Sequence, residues 1–182
     1  EPLPRVRREG EDYAWMVTIK AGPLTELVGD IFAKAGCSAE EGRRIGKYLV
    51  SANLTGHDSH GVARVPRYVQ WKRDGVVVAD RKVEVVSETP VLAVVDGLHG
   101  FGQTVTPQAI AIGIDKCKAM GLSLVALRNA GHIGRVGDWA EMAAEAGLVS
   151  VHFVNASGSV LVAPFGGTER RLSTAPFCVG VP

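Results

Sequence analysis

The chain divides into two parts that differ in the spacing of their apolar residues. In the first part apolar residues recur every three to four positions, which is the period of amphipathic helices. In the second part short apolar or alternating runs, typical of strands, are separated by helical segments. The predicted helices span residues 23–36, 38–53, 62–73, 106–120 and 137–147, and the predicted strands span residues 82–88, 91–97, 122–130, 148–157 and 177–182. This order predicts an α/β fold with a helical N-terminal segment and a largely buried sheet.

Cap residues and changes of pattern set the predicted boundaries. Ser38, followed three residues later by Glu41, has the pattern of a capping box at the start of the second helix. Residues 1–15 are charged and lack an apolar period, so we predict a disordered segment or an extension there. We assign residues 16–76 to the helical segment and residues 77–182 to an α/β domain. That domain is expected to be incomplete at its C-terminal end, because its last strand-like run stops abruptly.

Composition narrows the classes of function. The chain has 182 residues, 46% of them hydrophobic, so it can bury the core of one large domain or two small ones. Its formal net charge of +1 gives no charged field that would attract nucleic acid. No apolar run is long enough to span a bilayer, and the three scattered cysteines favour reduced thiols. We therefore expect a cytoplasmic protein that binds neither nucleic acid nor membrane.

The segment GHDSHGVAR, residues 56–64, concentrates the polar groups that can carry chemistry. Arg64 lies four residues after His60, so their side chains share one face of the predicted third helix. A histidine can give or take a proton near neutral pH, and a guanidinium can hold a carboxylate through two hydrogen bonds. The pair therefore suits the reduction of a 2-oxo acid.

Two other interpretations of this segment remain open on the sequence. Asp58 and Ser59 could simply cap the third helix, with both histidines in solvent. His57 and His60 are three residues apart and could bind a metal, as in a zinc hydrolase, but no further ligand follows at a familiar zinc spacing. We therefore predict no metal site.

A second candidate segment surrounds His132. A strand-like run ends at Arg128, glycines follow at positions 131, 134 and 137, and a helix then begins. Such a turn can receive a phosphate through free N–H groups and the helix dipole. Its spacing is not the Rossmann fingerprint, and taken alone it is more often just a turn. Residues 94–103 and 155–177 are likewise either functional loops or simple connections.

These segments together resemble one family. The motifs GHDSHGVARVPRYV, DGLHGFGQ, RNAGHIGRVGDWAEMAAEAGL and NASGSVLVAPFGGTERRLSTAPF occur in this order within residues 23–182. They are similar to those of the type 2 malate/L-lactate dehydrogenases, which include ureidoglycolate, sulfolactate and cyclic-imino-acid oxidoreductases. The resemblance implies hydride transfer between NAD or NADP and a 2-hydroxy or 2-oxo acid. It also implies an α/β fold distinct from the Rossmann fold, and a homodimer.

The resemblance also assigns roles to particular residues. It implies that Ser59 and His60 form a relay and proton-donor pair, with His132 as the rival acid or base. Arg64 would bind the substrate carboxylate, and Tyr68 and Thr174 would line the substrate pocket. The positions on the cofactor side would be His132, Ile133, Gly134, Arg135, Val136, Asn155 and Ala156.

Some residues depart from the family pattern. Ile133 stands where the family usually has Phe, larger residues occupy positions 135 and 136, and Ala175 replaces the Asn of a T-N-P motif. Family chains are also nearly twice as long. The alternative is therefore a truncated, inactive member that acts as a binding or dimerising protein, although the retention of His60, Arg64 and His132 favours an enzyme.

Overall fold

The computed structural model describes residues 18–156 and 160–182. Helices dominate the first part, and strands alternate with helices afterwards, so the predicted α/β order is confirmed. The prediction for residues 1–15 lies outside the described residues. The helices are α1 Ala21–Lys34, α2 Ala39–Leu54, α3 Val65–Arg73, α4 Gly102–Met120 and α5 Gly137–Glu145, and the strands are β1 Glu84–Glu88, β2 Leu92–Gly100, β3 Leu124–Ala130, β4 Ser150–Phe153 and β5 Phe177–Gly180.

The helical part is built on a close contact between α1 and α2. A Cβ added at Gly42 would lie 2.5 Å from the carbonyl oxygen of Gly29, so only glycine lets the two backbones approach this far. Apolar side chains of both helices form the buried core beside this contact. Phe101, from the segment before α4, belongs to the same core, so the helical part shares its core with residues beyond position 76.

The N-terminus of α2 shows half of the predicted capping box. The Ser38 hydroxyl accepts the N–H of Glu41 at 3.1 Å, but the Glu41 side chain does not return to Ser38. Instead the buried Glu41 carboxylate accepts the Asp80 N–H and the Thr104 hydroxyl, both at 2.7 Å. The Ser38 N–H donates to the Asp80 carboxylate. The bond to Thr104 joins α2 to the first turn of α4, and the bonds to Asp80 join it to the segment before β1.

The third helix begins later than predicted. Two single 3₁₀ turns, Asp58–His60 and Val62–Arg64, precede α3, which starts at Val65 with a proline in its first turn. Proline fits the first turn of an α-helix, because an N–H at that position has no acceptor within the helix anyway. The candidate motif therefore lies in tight turns between α2 and α3.

The strands form two small sheets. In the first, with order β1-β2-β3, β1 is antiparallel to β2, and β2 is parallel to β3 across the α4 crossover. In the second, β4 pairs antiparallel with β5. This arrangement differs from the continuous parallel sheet of the Rossmann fold, as expected.

The expectation of a largely buried sheet is wrong outside β2. Every residue of β1 is exposed, and the rings of Phe153 and Phe177 in the second sheet are 81% and 62% exposed. Helix α4 covers one face of the first sheet and α5 one face of the second, and no other described element covers the opposite faces. Among the described helices, none combines the length and apolar composition needed to span a bilayer.

Candidate active site

The GHDSHGVAR segment is held in shape by Asn53, in the last turn of α2. The Asn53 side chain accepts the Val62 N–H at 2.9 Å and donates to the Asp58 carboxylate. Gly61 passes so close that an added Cβ would lie 2.2 Å from the Asn53 amide oxygen. Asn53 had not been singled out in the sequence, because its partners are residues of the following loop and not of its own helix.

The side chains of this segment do not cap α3. The N-cap of α3 is Arg64, and no side chain bonds to the first turn. The Ser59 hydroxyl instead lies 2.9 Å from Nδ1 of His60, and the Arg64 Nε donates to the Ser59 carbonyl at 2.5 Å. The interpretation of Asp58 and Ser59 as simple helix caps is therefore wrong.

His60 and Arg64 are close, although not as predicted. They lie on two successive 3₁₀ turns and not on one face of an α-helix. Because only its Nε is bonded within the described residues, Arg64 keeps its two terminal nitrogens for another partner. A guanidinium in this state can donate two hydrogen bonds to a carboxylate.

His132 joins this cluster from the loop after β3. Its ring stacks on the ring of His60, with centroids 5.2 Å apart and planes inclined by 25°. The loop is fixed by the Gly131 N–H, which donates to Gly100, and by the Trp139 indole, which donates to the carbonyl of Ile133 at 3.1 Å. The structure thus brings together two histidines that are distant in the sequence.

Tyr68 and Gln103 support His132 from the interior. The Tyr68 oxygen lies 2.6 Å from Nδ1 of His132, and Nε2 of Gln103 donates to the same oxygen at 3.2 Å. Tyr68 is only 1% exposed, so it reaches the site through its hydroxyl. The sequence indicates no role for Gln103 beyond its place in the DGLHGFGQ motif.

Burial and the nearby arginine set the charge of the histidines. Burial, followed by the positive charges of Arg64 and His60, lowers the pKa of His132 to about 4. Burial, followed by the charges of Arg64 and His57, also lowers the pKa of His60. Burial raises the pKa of Tyr68 to about 12. At neutral pH both imidazoles are therefore neutral and Tyr68 keeps its proton.

The predicted cofactor turn leads directly into α5. Gly134 has a φ of +72°, which glycine tolerates best, and Val136 is the N-cap of the helix. Arg135 lies against α5, where its guanidinium binds Asp138 at 2.6 Å and Glu141 at 2.8 Å. The charge of Arg135 is thus already balanced by two carboxylates.

The remaining predicted positions lie at one end of the second sheet. Asn155 and Ala156 follow β4, and Thr174 precedes β5, where the Val154 N–H donates to the carbonyl of Pro176. Within the described residues, no hydrogen bond links Asn155 or Thr174 to the histidine cluster. No group of three or more His, Cys, Asp or Glu side chains in the described parts of the chain is placed to share a metal ion.

Comparison with known proteins defines the class first. The fold matches that of malate dehydrogenase from Pyrococcus horikoshii OT3, with a TM-score of 0.85 and 36% identity over 91% of this chain and 47% of that one. It also matches sulfolactate dehydrogenase from Methanocaldococcus jannaschii, with a TM-score of 0.82 and 33% identity over 88% of this chain and 46% of that one. The architecture is therefore that of a group of solved dehydrogenases.

The sequence places the chain more narrowly. It belongs to the malate/L-lactate dehydrogenase family, whose model matches residues 19–182. Hydroxycarboxylate dehydrogenase B of Escherichia coli K12 is 40% identical over 162 residues, which are 89% of this chain and 45% of that protein. The chain thus spans less than half the length of the curated relatives that it matches.

Proposed function

We propose that the protein carrying this chain is an NAD- or NADP-dependent oxidoreductase that transfers hydride between the nicotinamide and a small 2-hydroxy or 2-oxo acid. The observation that carries the proposal is the convergence of His60, His132 and Arg64. Two neutral imidazoles stack beside a guanidinium whose terminal nitrogens have no described partner. The names of the relatives, which refer to malate, sulfolactate and hydroxycarboxylates, support the same class of substrate.

Each residue of the cluster has a role in this proposal. Arg64 binds the substrate carboxylate through its two terminal nitrogens and so orients C2. His60 exchanges the proton with the C2 oxygen, and Ser59 fixes the His60 ring through Nδ1. A neutral imidazole can take the hydroxyl proton when a hydroxy acid is oxidised. Thr174 is proposed to line the substrate pocket, and Tyr68 to support that pocket from the interior through its bond to His132.

The turn after β3 has backbone N–H groups that suit the phosphates of the cofactor. The backbone N–H groups of Ile133 and Val136 have no backbone acceptor among the described residues, and they lie beside the start of α5. Free N–H groups at the start of a helix can bind a phosphate. Residues 132–136, with Asn155 and Ala156, would hold the cofactor, which supplies or accepts the hydride when it is bound.

The proposed location, oligomeric state and division of the chain follow from the family resemblance. We propose a cytoplasmic homodimer, with residues 16–76 contributing the substrate motif and residues 77–182 the cofactor side. The apolar faces of the two sheets are uncovered, which supports the proposal that further polypeptide packs against them.

The test is oxidation of NADH and NADPH with a panel of 2-oxo acids by the product of the complete reading frame. His60→Ala should lower kcat by roughly 10²- to 10⁴-fold, as expected for a lost acid or base. The matched control is His57→Ala, because His57 is an exposed neighbour without a hydrogen bond to Ser59 or Arg64. Equal activity of the two variants would contradict the role of His60. A folded protein without any turnover would favour the binding or dimerising alternative.

A further inference from the structure

Gln103 is a polar side chain buried where an apolar one would be expected. It lies in the first turn of α4 and is 1% exposed. Its Nε2 donates to the Tyr68 oxygen at 3.2 Å, while its Oε1 has no partner among the described residues. A buried amide with one unpaired atom costs stability. The contact with Tyr68 is the one hydrogen bond of the Gln103 side chain among the described residues, so it is the contact that would explain the burial.

The hydrogen bonds around Tyr68 run in one direction. The Gly134 N–H points at Nδ1 of His132 at 3.3 Å, so that nitrogen carries a lone pair and no proton. The Tyr68 hydroxyl lies 2.6 Å from the same Nδ1 and 3.4 Å from the carbonyl oxygen of His132, so it donates its proton to the nearer Nδ1. The Tyr68 oxygen is left to accept a proton, and Gln103 supplies an N–H.

We infer that Gln103 is a positioning residue that acts through Tyr68 to keep neutral His132 in the tautomer with its proton on Nε2. In this tautomer His132 offers a hydrogen-bond donor on the ring edge away from Tyr68, and no described group bonds to Nε2. This inference rests on the proposed function: the donor would face the C2 oxygen of the substrate. His132 would then only donate a hydrogen bond, and His60, which stacks against the His132 ring, would exchange the proton with the C2 oxygen.

Gln103→Glu provides a sharp perturbation, since it is isosteric and reverses the hydrogen-bond direction. A carboxylate can only accept, so the Tyr68 hydroxyl would turn towards it. The Tyr68 oxygen would then accept a proton from Nδ1 of His132. Gln103→Met removes the amide donor and offers only the weak acceptor of a thioether. Gln70→Glu on the exposed surface of α3 is the control for an added charge.

The measurement is ¹⁵N NMR of the full-length protein labelled at histidine, with His132 assigned by its loss in His132→Gln. We expect a protonated Nε2 in the wild type and in Gln70→Glu. In Gln103→Glu, above the pKa of the new carboxyl, we expect the proton on Nδ1. If that variant does not fold, Gln103→Met should shift the Nδ1 resonance away from its wild-type value, because Tyr68 loses the N–H that fixes the direction of its hydroxyl. It should also lower kcat about tenfold, with KM within about twofold.

The possible outcomes separate this inference from the proposed function. A wild-type His132 protonated on Nδ1 would overturn the inference. A folded Gln103→Glu or Gln103→Met protein with the unchanged His132 spectrum would also overturn it, whatever the activity. The expected tautomers in a protein without turnover would support the positioning role and count against the proposed function instead.

Discussion

Gly102 leaves room for the loop that carries His132, so adding one methyl group there should disturb the site directly. A Cβ at this position would lie 2.3 Å from the carbonyl oxygen of His132 and 2.5 Å from Cα of Ile133. Non-bonded atoms of this kind need a separation of about 3.5 Å, so one backbone must move by about 1 Å. The start of α4 is held by N–H groups that bond back to Phe101. We therefore expect the loop of His132 to move.

The two consequences of Gly102→Ala can be measured separately. A displacement of about 1 Å at a reacting group can cost about 100-fold in rate, which should appear in kcat/KM for 2-oxo acid reduction. The overpacking should lower the free energy of unfolding in urea by about 1–3 kcal/mol. Gly22→Ala is the control, because an added Cβ there meets nothing within 4 Å. Activity within twofold of the wild type, together with unchanged stability, would refute this reasoning.

Three further changes and one pH effect test other parts of the structure. Glu41→Ala leaves the buried Thr104 hydroxyl and the half-buried Asp80 N–H without their acceptor and should lower the free energy of unfolding in urea by about 2–3 kcal/mol, whereas exposed Glu40→Ala should cost under about 1 kcal/mol. Ala175→Gly should stabilise the fold by up to about 1 kcal/mol, because the φ of Ala175 is +37°. The melting temperature should therefore rise, and an unchanged or lower melting temperature would argue against strain at this residue. Arg135→Ala should leave the ratio of NAD to NADP activity within about twofold, because its charge is already bound by two carboxylates; a lost preference for NADP would place Arg135 at the ribose phosphate. The pKa of His132 is about 4 in the folded protein, against an ordinary value of 6.5. The unfolded chain therefore binds the proton first, and stability should fall as the pH drops from about 6.5 to 4, by at most about 3 kcal/mol. His132→Gln should flatten this pH dependence of urea unfolding, and an equal slope in both proteins would mean that other groups cause it.

The parts of the fold that the sequence predicts are those governed by local spacing. An amphipathic helix is specified by residues three and four apart, so α1, α2 and α5 lie within a few residues of their predicted ranges. The proximity of His60 and Arg64 is also local, and it survives even though the turns between them are 3₁₀ and not α-helical. Pro66 fits that difference, because it has no N–H to donate to the carbonyl of Val62 and so favours the first turn of a helix.

The parts that the sequence does not predict depend on contacts between distant segments. Tyr68, Gln103 and His132 come from α3, α4 and the loop after β3, and no spacing rule brings them together. Burial of a strand depends in the same way on what packs over it. Alternation in β1 indicates two faces, but it cannot indicate that every residue of the strand stays exposed.

The charges of the cluster couple substrate binding to proton transfer. Besides burial, the positive charge of Arg64 lowers the pKa of both His60 and His132. A substrate carboxylate held by Arg64 would offset that charge, and an opposite charge nearby favours the protonated imidazole. The empty site would then hold neutral histidines, ready to accept a proton from a hydroxy acid. Binding of a 2-oxo acid would raise their proton affinity, which is the change that a proton donor needs in the reverse reaction. One arginine beside two stacked histidines could thus serve both directions of the proposed reaction.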